Sequence, residues 1–258
     1  MCRHFAWLGT DRSVEDLILT PAYGLPKQAA RPRWQQIDLV NRDGFGVGWF
    51  PAPGAAAHYR RVGPIEADPG FPVLASSVVA DCVIGAVRGA SPGMPIEEEA
   101  TAPFTNGSAL VSLNGHLNVG LTACLLEEGR QAESTCDAAH LAALLWQRLD
   151  AGQQLTAAVP DLVRDVAALD PHACLNVLAT DGLVLVATTW CETLCYRTTE
   201  AGTLIASEPH DDEDGWITVP DRHLVIADPL GVTLLPLAGP VPHPAPEAPE
   251  QPPVADAL

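Results

Sequence analysis

Residues 1–9, MCRHFAWLG, place a cysteine in second position ahead of a short apolar run. The segment from His4 to Leu8 is typical of a strand that begins at the N-terminus of the chain. Removal of Met1 would give Cys2 a free α-amine beside its thiol, and enzymatic removal tolerates small second residues. An α-amine titrates close to neutral pH, so it can accept the proton that the thiol must lose to become a nucleophile. A Met-Cys start is by itself more often incidental, so other parts of the chain must show whether Cys2 is a nucleophile.

Length and charge limit the classes of partner. The 258 residues are 47% hydrophobic, which is typical of one large globular domain or two small ones. The chain carries 14 Lys and Arg against 32 Asp and Glu, so its net charge is −18. Because no basic stripe is present, we expect neither nucleic acid nor an anionic membrane surface as a partner. No signal peptide and no apolar run of about 18 residues occur, so a cytoplasmic protein is expected.

The cysteines carry no metal or cofactor signal. They are odd in number and lack paired metal-binding spacing, at Cys2, Cys82, Cys124, Cys136, Cys174, Cys191 and Cys195. In a reducing cytosol we expect them to be buried thiols. The acidic run from His210 to Asp214 could attract a hard cation, but it lacks the regular spacing of a calcium loop and favours a solvated loop. The sequence therefore predicts no metal and no cofactor.

Apolar periodicity predicts many strands and a few helices. Ser13 and Asp16 are typical of an N-cap and capping box before a short helix that Pro21 ends, and residues 22–36 are expected to be irregular. Asp181-Gly182 is interpreted as a two-residue hairpin turn of the primed type. Strands are predicted at 4–8, 41–50, 58–62, 82–88, 109–113, 174–180, 183–189, 193–197, 204–207, 223–227 and 232–235, and helices at 71–80, 121–129, 138–146 and 155–168, the last interrupted by Pro160.

Two of these strands end in polar residues that a buried strand does not explain. The strand at 82–88 ends in Arg88, and a charge in that place seldom lacks a partner. The residues alone leave open whether this partner is a structural carboxylate or a ligand. The strand at 109–113 runs into Asn114-Gly115. Three alternating glycines at residues 44–48 favour a strand packed closely beneath another layer.

The C-terminal segment differs in composition from the rest. Residues 239–258 contain seven prolines and almost no large apolar side chain. Such a segment cannot bury enough surface to offset its ordering entropy, so we expect a disordered or extended tail. One domain over residues 1–238 is therefore predicted.

Several separated motifs occur in the order of a known family. They are Met1-Cys2, Asp43-Gly44-Phe45-Gly46, Ala86-Val87-Arg88-Gly89-Ala90-Ser91-Pro92-Gly93, Ala102-Pro103-Phe104, Asn114-Gly115, and Asp137 at 23 residues after Asn114. On these motifs the chain resembles the class II, or N-terminal nucleophile, glutamine amidotransferases over roughly residues 1–235. The resemblance implies an α+β fold, a four-layer α/β/β/α sandwich, and the many strands with two main helical stretches between them agree with it.

A narrower set of motifs resembles the γ-glutamyl amidases of ergothioneine biosynthesis. It comprises Met1-Cys2-Arg3-His4, Asp43 to Trp49, the loop that ends in Pro92-Gly93-Met94-Pro95, Ala206-Ser207-Glu208-Pro209 with the acidic run and Trp216, and Val219 to His223. Each motif is weak alone, but the series in order is specific.

The resemblance assigns roles to three catalytic residues. The Cys2 thiolate would attack the γ-carbonyl of a glutamyl amide, and its own α-amine would carry the proton to the leaving nitrogen. The side-chain amide of Asn114 and the backbone N–H of Gly115 would stabilise the oxyanion.

The resemblance also assigns the residues that bind the glutamyl group. Arg88 would bind its α-carboxylate and Asp137 its α-ammonium, while Ser91 would add a hydrogen bond. One position departs from the family pattern, because Leu113 stands where a His usually precedes the Asn-Gly pair. We interpret that His as a positioning residue, so activity is still expected.

The activity that the resemblance implies is hydrolysis of the γ-glutamyl amide of γ-glutamyl-hercynylcysteine sulfoxide through a glutamyl-enzyme thioester. No synthase domain is fused to the chain, which favours hydrolysis over ammonia transfer. Two alternatives stay open: a glutaminase subunit that supplies ammonia to a separate synthase, and a non-catalytic module that binds a glutamyl group. The expected partner is a small-molecule γ-glutamyl substrate, and protein partners are left undefined.

Overall fold

A computed structural model describes residues 2–35, 40–51 and 54–237. Met1 and residues 238–258 lie outside the described residues, so the Pro-rich tail and the domain boundary at 238 stay predictions.

The described chain alternates strands with short and long helices. The strands are β1 (Arg3–Ser13), β2 (Gly44–Trp49), β3 (Ala57–Val62), β4 (Val79–Arg88), β5 (Phe104–Thr105), β6 (Leu110–His116), β7 (Cys174–Thr180), β8 (Leu185–Thr189), β9 (Cys195–Thr199), β10 (Gly202–Ala206), β11 (Ile217–Thr218), β12 (His223–Asp228) and β13 (Gly231–Pro236). The helices are α1 (Val14–Ile18), α2 (Leu25–Ala30), α3 (Phe71–Ser77), α4 (Val119–Thr122), α5 (Asp137–Asp150) and α6 (Leu155–Leu169), with short 3₁₀ turns at Ile65–Ala67, Glu98–Ala100 and Ala123–Leu125.

Two antiparallel sheets lie at the centre of the fold. The first has the order β11-β9-β10-β1-β4-β2-β3, and the second has the order β13-β12-β8-β7-β6-β5. Buried apolar side chains form three clusters: one between the first sheet and α1 to α3, one between the sheets, and one between the second sheet and α5 and α6. Three cores divided by two sheets give the four-layer α/β/β/α sandwich, which confirms the predicted fold class.

Strand β1 lies in the middle of the first sheet, between β4 and β10. Its side chains alternate, so that Phe5 and Trp7 pack against the α1 to α3 layer while Ala6 packs between the sheets. Cys2 directly precedes this strand, so ordered backbone holds the candidate nucleophile at the end of the sandwich.

Most predicted elements are confirmed, including the N-cap of α1, where the Ser13 hydroxyl accepts the backbone N–H of Asp16 at 3.0 Å. The prediction that residues 22–36 are irregular is wrong, because α2 occupies Leu25–Ala30. Pro26 lies in the first turn of α2, where its fixed φ suits a helix start and its missing N–H has no partner to lose.

Two other local predictions are also wrong, one about a proline in a helix and one about a turn. Helix α6 continues through Pro160, which removes only its own N–H bond and is buried in the helix–sheet core. The predicted two-residue hairpin is a four-residue loop, because Thr180 pairs with Leu185. Within it, the Asp181 carboxylate accepts backbone N–H groups of both Leu183 and Val184.

The cysteine prediction needs two corrections. Cys174 and Cys191 form a disulfide with a Cα–Cα separation of 5.2 Å, and Cys124 is exposed. Cys174 begins β7 and Cys191 follows β8, and the backbone bond from Leu175 N–H to the Trp190 carbonyl draws the two together. Their spacing along the chain shows none of this, since the proximity depends on the register of two strands.

Three structural observations concern membrane-spanning helices, metal sites and the acidic run at 210–214. None of the described helices is long and apolar enough to cross a bilayer. Within residues 2–35, 40–51 and 54–237, no group of three His, Cys, Asp or Glu side chains is arranged to hold a metal ion. The acidic run is engaged by arginines, since Asp211 and Glu213 contact Arg197 and Asp212 contacts Arg33.

Candidate active site

Cys2 lies half-buried at the end of the sandwich. Cys2 lines a cavity together with Gly89, the residue that follows β4. Burial raises the pKa of its thiol, and the Gly89 N–H and the Arg88 guanidinium oppose that rise only in part. The resting thiol therefore stays protonated, and a nearby base is needed to make it a nucleophile.

Arg88 is the last residue of β4 and is nearly buried, with 8% of its surface exposed. Its Nη1 has no hydrogen-bond partner in the part of the chain that the structure describes. A buried guanidinium nitrogen without a partner is costly unless a ligand supplies one. This favours the interpretation of Arg88 as a ligand-binding residue over a purely structural one.

Asp137 is the first residue of α5 and lines the same cavity as Cys2 and Arg88. Its carboxylate accepts the backbone N–H groups of Ala138 at 2.9 Å and Leu117 at 3.3 Å. Burial raises the pKa of this carboxyl, while those two hydrogen bonds, His116 and Arg88 hold it down. A desolvated carboxylate in this position is suited to accept a substrate ammonium.

Asn114 and Gly115 lie on β6, the strand of the second sheet that passes beneath the cavity. Asn114 is fully buried, and neither its amide nitrogen nor its amide oxygen has a partner among the described residues. Gly115 has a φ of 156°, and a Cβ there would lie 2.0 Å from the Cys174 carbonyl oxygen. Only glycine fits that approach, so β6 can lie this close to the Cys174 backbone of β7.

One cavity gathers the predicted site residues. Cys2, Arg88, Ser91, Gly115 and Asp137 all line it, and Asn114 neighbours it on β6. Ser91 is exposed at the rim, and its carbonyl accepts the N–H of Met94 to close the loop after β4. The apolar part of the wall includes Ala86, Val87, Ala90, Met94, Ala100, Ala102, Leu113 and Ala138.

Leu113, the departure from the family pattern, is buried in the apolar core and lines the cavity. It offers no hydrogen bond to Asn114 or to a ligand. Its side chain packs in the core between the second sheet and helices α5 and α6.

Sequence reasoning missed three residues next to the cavity. The backbone N–H of Gly89 lowers the pKa of the Cys2 thiol. The buried ring of His4 contacts the Ser112 hydroxyl at 3.1 Å through Nδ1, and burial lowers its pKa to about 3. Asn41 is buried with an unpartnered amide beside Gly89. His4 and Gly89 belong to motifs noted in the sequence, and Asn41 begins the strand predicted at 41–50. Only the register of the strands shows what each one contacts.

Comparison with known proteins agrees with this architecture. No family model matches the chain. The chain is 44% identical over 238 residues to the γ-glutamyl-hercynylcysteine sulfoxide hydrolase of Mycolicibacterium smegmatis, covering 92% of this chain and 100% of the relative. It is 43% identical over 235 residues to the protein of the same name from Mycobacterium tuberculosis strain H37Rv, covering 91% and 96%.

Solved structures share the fold at lower identity. A glutamine aminotransferase class-II domain protein from Silicibacter pomeroyi matches with a TM-score of 0.63 and 19% identity, covering 92% of this chain and all of that one. The glutamine phosphoribosylpyrophosphate amidotransferase of B. subtilis matches with a TM-score of 0.66 and 16% identity, covering 92% of this chain and 49% of that one. The chain has the class II glutamine amidotransferase fold, and by its identity to the mycobacterial proteins it belongs to the γ-glutamyl-hercynylcysteine sulfoxide hydrolase family.

Proposed function

We propose that the chain is an amidohydrolase that cleaves the γ-glutamyl amide bond of γ-glutamyl-hercynylcysteine sulfoxide, releasing glutamate and hercynylcysteine sulfoxide. The names and the full-length similarity of the mycobacterial relatives support this reaction. The observation that carries it is the pair of opposite charges, Arg88 and Asp137, on a cavity that Cys2 also lines. A glutamyl group carries a carboxylate and an ammonium on one carbon, so it can satisfy both residues at once.

The proposed chemistry begins with the loss of Met1, which frees the α-amine of Cys2. That amine takes the thiol proton as the sulfur attacks the γ-carbonyl carbon, and a tetrahedral intermediate forms. The resulting ammonium returns the proton to the amide nitrogen, the C–N bond breaks, and hercynylcysteine sulfoxide leaves as an amine. Water, deprotonated by the same α-amine, then hydrolyses the thioester to release glutamate and restore the thiol.

The oxyanion formed in both steps needs donors that are already in place. In this proposal the side-chain amide of Asn114 and the backbone N–H of Gly115 supply them. The amide of Asn114 supports the role, because it has no hydrogen-bond partner among the described residues and is free to bond the oxyanion. A single such donor typically contributes about 2.7–4 kcal/mol to lowering the barrier.

Two alternatives make different predictions from the same site. A glutaminase subunit would hydrolyse glutamine, and an added synthase partner would stimulate it. A non-catalytic module would bind the γ-glutamyl compound without turnover, and Leu113, in the place of the usual His, is the residue that favours it. We also propose that the protein is cytoplasmic.

The test combines mass and turnover on untagged protein. Intact mass should show the loss of one methionine, and glutamate should be released from γ-glutamyl-hercynylcysteine sulfoxide and not from glutamine. Cys2→Ala should abolish release while the unfolding midpoint stays unchanged, and a retained Met1 or an N-terminal tag should do the same by acylating the amine. Cys124→Ala, at an exposed cysteine outside the cavity, is the matched control and should keep full activity.

The outcomes separate the three possibilities. An active Cys2→Ala variant would overturn the mechanism. Release from glutamine alone would select the glutaminase, and tight binding with no release from processed protein would select the binding module.

A further inference from the structure

His4 is held on three sides at the end of β1 that carries Cys2. Its backbone N–H donates to the Ser207 hydroxyl at 3.0 Å, and its carbonyl accepts the Ser207 backbone N–H at 2.9 Å. On the other side of β1 it pairs with Ala86 of β4. Its ring contacts the Ser112 hydroxyl of β6 at 3.1 Å through Nδ1. His4 therefore joins the first sheet to the second through a polar side chain.

The contact between His4 and Ser112 crosses a gap that is otherwise filled by an apolar cluster. Both residues are fully buried. Apolar packing is not directional, so by itself it fixes the spacing of two sheets less strictly than a hydrogen bond does. Breaking a hydrogen bond in such surroundings leaves a buried polar group unpaired, which costs free energy. The pair therefore fixes the position of β1 relative to β6.

Alternation of side chains shows how the two strands face each other. Residues two apart on a strand share a face. On β1, Ala6 belongs to the cluster between the sheets, and His4 lies on the same face. On β6, Leu110 belongs to that cluster, and Ser112 lies on the same face. Along the gap, β1 runs from residue 6 to residue 4 while β6 runs from residue 110 to residue 112.

The next residue on each of these faces belongs to the proposed catalytic machinery. Two residues before His4 on the β1 side is Cys2, and two residues after Ser112 on the β6 side is Asn114. Gly115, which follows Asn114, lines the same cavity as Cys2. The His4–Ser112 contact is therefore the polar link across the gap next to the nucleophile and the oxyanion donor.

We propose that the hydrogen bond between His4 and Ser112 sets the separation between the Cys2 thiol and the Asn114 amide. His4 and Ser112 are thus positioning residues, and this role rests on the proposed function, in which Cys2 attacks the γ-carbonyl and Asn114 binds the oxyanion. The attacked carbon and the oxyanion are joined by one bond, so nucleophile and donor have to keep a fixed separation. A misplacement of about 1 Å can cost on the order of a hundredfold in rate.

The ring of His4 acts through this hydrogen bond and not through charge. Burial lowers the pKa of His4 to about 3, so the ring stays neutral near neutral pH. A neutral side chain that places a nitrogen where Nδ1 lies can therefore replace it. The amide of asparagine reaches the place of Nδ1, whereas the longer side chain of glutamine carries its amide to the place of Nε2.

The variants His4→Asn, His4→Gln and Ser112→Ala test this role. His4→Asn should keep most of the parental kcat. His4→Gln and Ser112→Ala should lower kcat and kcat/KM equally, on the order of tenfold to a hundredfold, because only the transition state uses the oxyanion donor. The double variant His4→Gln/Ser112→Ala should be no slower than the slower single variant, since both changes remove one bond. A purely structural role would lower the unfolding midpoint and leave both kinetic constants unchanged.

A second measurement tests the nucleophile without an oxyanion. Iodoacetamide alkylates a thiolate at a CH₂ carbon, so the reaction needs no oxyanion donor. The rate of alkylation at Cys2, followed on the N-terminal peptide by mass spectrometry, should stay parental in His4→Gln and Ser112→Ala. A fall in this rate equal to the fall in kcat would show that His4 acts on the thiol itself, and the proposed positioning role would be wrong.

The matched control is His210→Gln. His210 is also fully buried, but it lies on the other face of β1, where its ring contacts the edge of Phe5. The substitution should lower the unfolding midpoint and keep the parental kcat. If it slowed kcat as much as His4→Gln, the loss would reflect general destabilisation, and the assignment of His4 would be wrong.

The failures of the two proposals are distinguishable. If Cys2→Ala stays active, the proposed function falls and His4 has no nucleophile to position. If Cys2 is required but His4→Gln and Ser112→Ala keep the parental kcat, the assignment of the His4–Ser112 pair is wrong and the proposed function stands.

Discussion

At Asp137, the negative charge that would bind a substrate ammonium also lowers the stability of the folded chain. Burial raises the pKa of its carboxyl. Above the ordinary carboxyl range of pH, the charged form therefore lowers the free energy of unfolding. That cost is absent at lower pH, where the group is protonated in both folded and unfolded chains. A substrate ammonium would remove the cost, which makes the site complementary to a ligand that the resting protein lacks.

We expect Asp137→Asn to separate these two effects. The amide has one oxygen for the two backbone N–H groups of Ala138 and Leu117, so it loses one weak hydrogen bond, but it also removes the desolvated charge. The free energy of unfolding at pH 7 should therefore stay close to that of the parent. The kcat/KM for the γ-glutamyl substrate should fall at least about tenfold, because a hydrogen bond to a charged group contributes about 1.5–3 kcal/mol. Urea denaturation and steady-state kinetics measure the two.

The control is Asp170→Asn, at a buried aspartate whose carboxylate accepts the N–H of Asn118 at 2.7 Å outside the cavity. Its kcat/KM should match that of the parent. Unchanged kinetics in Asp137→Asn would contradict the assignment of Asp137 to the substrate ammonium.

At the residue scale, the sequence predicts the groups that bring charge or a nucleophile to a strand end. Arg88 stands out because a charge ends an otherwise apolar strand, and Cys2 because its thiol follows Met1. Asp137 is assigned only through the resemblance to the family. Asn41 does not stand out, because an asparagine before a glycine-rich strand is ordinary until β4 places Gly89 against it. The pairing of Cys174 with Cys191 is hidden for the same reason.

At the element scale, strand β2 controls how closely the two sheets approach at the cavity. A Cβ would lie 2.6 Å from Thr101 Oγ1 at Gly44, 2.4 Å from the Ala102 carbonyl at Gly46, and 2.7 Å from Leu110 Cδ2 at Gly48. The prediction that these glycines lie beneath another layer is therefore confirmed. The segment that contacts Gly44 and Gly46 comprises Thr101 and Ala102, and Ala102 forms part of the cavity wall.

We expect Gly46→Ala to destabilise the fold by at least about 1–3 kcal/mol, because the added methyl meets backbone rather than a movable side chain. The free energy of unfolding from urea titration measures this. Gly54→Ala is the matched control, since its nearest neighbour, the Pro51 carbonyl oxygen, lies 3.3 Å from the added Cβ at an exposed position. Equal stability of the two variants would show that β2 can move away from Ala102 without cost.

Elements whose pattern repeats over several residues could be predicted, and short or locally capped ones could not. The long helix α5 and the buried strands β4 and β7 follow from apolar periodicity. The six-residue helix α2 does not, since two prolines nearby favour a loop by composition. The loop at 181–184 depends on one aspartate side chain that binds two N–H groups, which a two-residue turn signal does not reveal.

At the scale of the whole molecule, the charge of −18 sets the background for any change of pH. Lowering the pH from 7 reduces the self-repulsion of the acidic surface, which by itself would favour the compact state. Two buried histidines act in the opposite direction. Burial lowers the pKa of His4 to about 3 and that of His210 to about 4, against about 6.5 in an unfolded chain.

Because both histidines have a lower pKa in the fold, their stabilising effect is complete above pH 6.5 and is lost as the pH falls from 6.5 toward 4. Each contributes a slope of up to about 1.4 kcal/mol per pH unit in the free energy of unfolding. His210→Phe should roughly halve the combined slope, since a phenyl ring can keep the edge contact with Phe5 and has no nitrogen to protonate. Urea titrations between pH 7.5 and pH 4.5 measure it, with His172→Gln at an exposed position as the control for the loss of one histidine. A parental slope in His210→Phe would mean that carboxyl groups, rather than these two rings, set the acid limit of the fold.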